Sequence, residues 1–199
     1  MKPTSSGLRA RLEGVGSLET DTLEERRNKV TLLVLSGICF CASIVWATLY
    51  YAILGPVPAV LVTFGFTFVV GAALLVFLAT KRFLLLLYPF FLMILWTPIT
   101  LQWSLGGFAA SGVLMTWSVL APFCALMFQT VQKAIWWFAA YLVLLAISLV
   151  FDHQFQQWVV PMSHGTSMLF FGMNIVGPSV AIFMTMLYFV NAFQREHER

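Results

Sequence analysis

The chain has 199 residues, of which 60% are hydrophobic and 10% charged, with a formal net charge of +3. Soluble domains carry about 25% charged residues, so this balance excludes a water-soluble globule and marks a polytopic membrane protein. The basic residues are too scattered for a nucleic-acid-binding face, and Cys39, Cys41 and Cys124 all lie in apolar runs without a disulfide framework.

Residues 1–29 are polar and form a segment of their own, which leaves no room for a signal peptide. Its end, "LETDTLEERRNKVTLL", is rich in helix formers and runs directly into apolar sequence. Thr20 or Asp21 is the expected cap, with Glu24 at capping-box distance from Asp21. Glu24 and Glu25 precede Arg27, Asn28 and Lys29 at spacings that favour helical ion pairing. An anchor lying on the membrane surface is the competing reading of this stretch.

Residues 30–193 predict an all-α membrane domain of six transmembrane helices, since each crossing needs roughly 20 apolar residues. The runs are Val30 to Leu54, Ala59 to Thr80, Phe83 to Leu101, Gly112 to Phe128, Ile135 to Phe151 and Ser167 to Phe193. Short links between them predict antiparallel neighbours and a bundle. The longest, Asp152 to Thr166, joins the last two.

Lys and Arg set the orientation. Six lie ahead of the first span, Lys81 and Arg82 follow the second, Lys133 follows the fourth, and Arg195 and Arg199 follow the sixth. All eleven fall on one side of a six-span arrangement, which places both termini in the cytoplasm of a cell that threads the chain through its inner membrane. No internal repeat of the inverted-transporter kind is present.

None of the six runs contains Asp, Glu, Lys, Arg or His, the residues with which pumps bind coupling ions. Their polar content is mild: Thr63, Thr67, Thr97, Thr116, Ser118, Ser148, Asn174, Ser179, Thr185 and Asn191, suited to hydrogen bonds between helices or to their own backbone. Asn174 stands out because it lies four residues before Pro178, at the position whose carbonyl a helical proline frees. Small residues four apart, Gly37 with Cys41 and Ala121 with Ala125, permit close helix approach. On the opposite side from the basic residues, Asp152, His153 and His164 are the only acid and imidazoles. They are candidates for binding a cation or small polar ligand, including a zinc-like metal, although no ligand spacing motif joins them and a solvated loop with ordinary histidines is the better reading. Trp103 and Trp158 at one end, and Trp136 and Trp137 at the other, fit interfacial belts.

The last span leads into "NAFQREHER" without a Gly or Pro stop, and Arg195 shares a helix face with Glu198 or Arg199. Residues 194–199 therefore read as the start of a cytoplasmic helical connector, with Asn174, Pro178, Arg195, Glu196, Glu198 and Arg199 as coupling residues. Four stretches carry a resemblance: "EERRNKVTLLVL", "GFAASGVLMTWSVLAPFCALMF", "AIWWFAAYLVLLAISLVFD" and "FGMNIVGPSVAIFMTMLYFVNAFQRE". In this order they resemble the six-span N-terminal membrane domains of bacterial class III adenylate/guanylate cyclases, over most of residues 24 to 199. The resemblance implies a membrane anchor and sensor that dimerises and regulates a cytoplasmic cyclase making cAMP from ATP beyond residue 199. Its partners would be the bilayer, a second copy and that cyclase domain, whose divalent metals and catalytic residues have no counterpart in this chain. The other reading is a small transporter or channel subunit.

Overall fold

A computed structural model describes residues 16–18 and 20–197, and among them regular structure is helical throughout. We number the helices α1 (Leu23–Leu54), α2 (Pro58–Thr80), α3 (Phe83–Ser104), α4 (Gly107–Ser111), α5 (Leu120–Phe128), α6 (Val131–Val150), α7 (Asp152–Phe155) and α8 (His164–His197). Two 3-10 segments, Leu114–Val119 and Gln156–Trp158, complete the order. Among the described residues five helices are long and apolar enough to cross a membrane: α1, α2, α3, α6 and the His164–Leu187 part of α8. The expected fourth crossing is a shorter apolar stretch, Leu114–Phe128.

The chain divides into two units, Met1–Gly55 with Thr63–Met93, and Pro56–Val62 with Ile94–Arg199. In the first, α1 begins one residue later than expected. Thr22 is the cap: its hydroxyl accepts from the Glu25 N–H at 3.2 Å, and the Glu25 carboxylate accepts from the Thr22 N–H at 2.9 Å. Asp21 is thereby free to reach Lys29, whose Nζ donates to both carboxylate oxygens at 2.7 and 2.8 Å. This replaces the expected caps, Thr20 or Asp21, and the expected pairing of Lys29 with Glu24 or Glu25. The reciprocal Thr–Glu box satisfies two end groups at once, which a lone Asp cap does not.

Further along this unit the Ser43 and Thr67 hydroxyls share a 2.8 Å hydrogen bond, and the Phe40 ring fills the space where a Cβ on Gly71 would stand. Leu32, Val70, Phe77, Leu86, Phe90 and Phe91 are fully buried. Gly37 meets nothing within 4 Å of where a Cβ would stand, and Cys41 is exposed, so that small-residue face is open.

The second unit departs most from expectation. Gly112 to Phe128 is not one helix. Gly112 (φ 66) and Val113 (φ 58) take the left-handed conformation, six residues follow in 3-10 geometry, and only then does α5 begin. Pro122 sits in the first turn of α5, where its missing N–H costs least; α3 runs unbroken through Pro89 and Pro98 and α8 through Pro178, so proline alone does not impose the break. The core here gathers Leu95, Ile99, Met115 and Ala121, with Trp103, Phe108, Trp137 and Tyr141 packed against them. Ala121 and Ala125 are completely buried, as their spacing suggested.

Helix α8 starts earlier than the apolar run does, because the Ser163 hydroxyl accepts from the Thr166 N–H at 3.1 Å and acts as its cap. It continues to His197, 34 residues in all, with Pro178 inside. Glu198 and Arg199, expected coupling residues, lie outside the described residues, as do the side chains of Arg195 and Glu196 and the whole segment before Gly16.

Candidate functional site

The densest polar constellation in the second unit is built on Asn174 of α8, whose side chain is 1% exposed. Its amide Nδ2 donates to the carbonyls of Ser111 and Gly112, each at 3.1 Å. Its Oδ1 accepts from the Trp117 indole at 3.1 Å. A primary amide offers two donors and one carbonyl acceptor, so this one side chain is fully engaged.

The three groups it holds belong to the broken stretch between α4 and α5. Chain reversal at Gly112 and Val113 takes carbonyls out of any helical ladder, and in a bilayer such groups must find partners inside the protein. Asn174 supplies them. At Gly112 the backbone also approaches that of Phe171 so closely that a Cβ would lie 2.8 Å from the Phe171 nitrogen. One turn further along α8, Gly177 leaves room for the Trp117 ring.

Pro178 completes the arrangement. Having no N–H, it leaves the Asn174 carbonyl without its helical donor, and the Thr116 hydroxyl meets that carbonyl at 2.7 Å, sharing its single hydrogen with the Val113 carbonyl at 2.9 Å. Asn174 and Pro178 thus act together, but differently from the simplest expectation. The freed carbonyl is met by Thr116 of the 3-10 segment, while the Asn174 amide reaches away to the chain break.

A second staple involves Asp152. Its Oδ1 accepts from the Phe108 N–H at 2.9 Å, capping α4 from 44 residues away, since Gly106 at the cap position has no side chain to do so. Its Oδ2 accepts from the Gln156 amide at 2.9 Å. Gly107 (φ 88) makes room for this carboxylate, which would collide with any Cβ there. Both oxygens of Asp152 are therefore used within the protein, and His153 and His164 are exposed. Among the described residues no group of three or more His, Cys, Asp or Glu is placed to hold a metal ion.

Trp103 also turns inward. Its indole donates to the Ser148 hydroxyl at 2.8 Å and its ring stacks on Phe155 at 5.2 Å, while Trp158 and Trp136 are each 70% exposed as belt residues are. Near the broken stretch lie buried polar atoms that the residue list alone does not foretell. The Gln102 Oε1 accepts from the Met115 N–H at 3.2 Å, but its Nε2, like the hydroxyls of Ser118 and Thr97, has no hydrogen-bond partner. Gln102 lies inside α3 and is fully buried, although the apolar run ended before it. Its position before a Trp-Ser-Leu-Gly-Gly turn gave no signal of burial.

This arrangement has no nucleophile paired with a base and no cluster of ionisable groups. What it can do is hold, or release, a junction between a proline-containing helix and a discontinuous one. Comparison with protein-family models, with curated proteins and with solved structures finds no match at all.

Proposed function

We propose that this chain is a six-crossing membrane regulatory bundle, with both termini in the cytoplasm, that anchors a class III nucleotide cyclase and passes a signal to it through α8. The observation that carries the reading is the junction at Pro178. The helix is tied to the broken stretch one turn before its proline and then continues without interruption to His197. A shift of the broken stretch, driven by lipid or by a ligand on the outer face, would move the helix at this tie and turn the rest of α8. The cyclase assignment rests on the sequence resemblance, and it requires two copies, because catalytic sites of that family form between paired domains.

The test is a fusion of this chain to a class III catalytic domain, with cAMP output as the readout. Three or four glycines inserted after Phe193, each costing roughly 1 kcal/mol of helix, should leave insertion intact and abolish regulation. Regulation unchanged by the insert would reduce the bundle to an anchor.

The second reading, a small transporter or channel subunit, draws on the unpartnered buried atoms of Gln102, Ser118 and Thr97, which would suit a hydrated path. Solute flux in liposomes bearing the chain alone would favour it over the first.

A further inference from the structure

The hairpin of α5 and α6 holds a cleft of about 220 Å³ lined by Pro122, Phe123, Leu126, Ala134, Ile135 and Phe138, without a polar lining atom. It is too small for a drug-sized ligand, which needs roughly 300–1,000 Å³. Its rim residues Leu126, Ile135 and Phe138 are 44%, 59% and 46% exposed, while Ala134 at its base is buried. In a bilayer such a slot faces hydrocarbon, and an acyl chain matches its apolar lining.

The turn end of the cleft is charged. Lys133 adjoins the cleft residue Ala134 and is the only Lys or Arg between Arg82 and Arg195. It is exposed, and no acidic side chain lies in the first turn of α6 to offset it. In the same turn the Gln129 Oε1 accepts from the Trp137 indole at 3.1 Å, whereas its Nε2 is shielded and has no partner. A cation at the turn end of an apolar slot complements a phosphate above an acyl chain.

We propose that the α5–α6 cleft binds one acyl chain of an anionic phospholipid whose phosphate is met by Lys133. The proposal does not depend on the cyclase reading.

The experiment is native mass spectrometry of the whole chain released from detergent with either dioleoyl phosphatidylglycerol or dioleoyl phosphatidylcholine. Phosphatidylglycerol should be retained about tenfold better, as expected for one charge-assisted contact. Lys133→Gln should erase that preference and Lys133→Arg should keep it. Ile135→Trp, from an exposed rim position, should fill the slot and lower retention of both lipids, and Leu126→Trp serves equally if the first variant fails to fold. Equal retention of the two lipids by the parent chain would overturn the proposal. So would retention unchanged by the rim tryptophan, or a dimer mass in place of lipid adducts that the tryptophan abolishes, which would assign the cleft to a second copy.

Discussion

Asn174 spends its amide on two distant backbone carbonyls and one indole, so removing it strands three partners at once. Asn174→Leu, close in volume, leaves the Ser111 and Gly112 carbonyls and the Trp117 N–H without this partner. Each buried unsatisfied group costs about 1–3 kcal/mol, although hydrogen bonds between membrane helices average nearer 0.6 kcal/mol. A loss of roughly 2–4 kcal/mol is expected by denaturant titration in detergent. Thr116 permits a sharper test, because it answers a carbonyl orphaned only by Pro178. Thr116→Val should destabilise by about 1 kcal/mol in the parent and by clearly less in Pro178→Ala, where the helix can satisfy the carbonyl itself. The two changes should thus couple by about 0.5 kcal/mol or more. Strict additivity would mean that Thr116 does not serve the orphaned carbonyl.

At the scale of elements, the ends of helices depend on which polar group wins each terminus, and α1 provides a test in acid. The Lys29 ammonium, donating to Asp21, holds that carboxyl below its ordinary range, with the Leu18 N–H adding to the effect. The folded value is depressed, so the contribution is complete above the usual Asp value of about 3.9 and is lost as pH falls through the lower, folded value. Amide exchange at Leu18, corrected for its intrinsic rate, should be protected at pH 6 and lose that protection only below the ordinary carboxylate range. Lys29→Ala should move the loss upward to that range; an unmoved midpoint would remove Lys29 as the cause. The long helices were legible because some 20 apolar residues in a row are their own signal. The junction was only half legible. Asn174 and Pro178 could be paired by local spacing, but Thr116 and Trp117 lie 58 and 57 residues away. The Gly112–Val113 reversal is stabilised by those remote partners, and a β-branched residue at positive φ is not what local preference dictates. Pro122 was the readable sign of a late helix start. The role of Asp152 was illegible for a related reason: an acid in a loop looks the same in sequence whether it faces solvent or caps a helix from afar.

For the whole molecule, the Leu114–Phe128 stretch decides the topology. Six residues in 3-10 geometry and nine in α geometry reach roughly 25 Å, short of the roughly 30 Å of hydrocarbon. The irregular backbone that leads into it is tolerable in lipid because Asn174 answers its carbonyls. If the stretch crosses, all eleven Lys and Arg share one side. If it dips in and returns, Lys133, Arg195 and Arg199 stand opposite the other eight. The first arrangement obeys the charge rule and the second violates it. Single cysteines at Arg27, Lys133, Gln154 and Arg195, in a background with Cys39, Cys41 and Cys124 replaced by alanine, separate the two on intact cells. An impermeant maleimide should label Gln154→Cys alone. Labelling of Lys133→Cys and Arg195→Cys, with Gln154→Cys protected, would make the stretch re-entrant and leave five crossings. It would also put the end of α8 outside the cell, where no cytoplasmic cyclase could receive its motion.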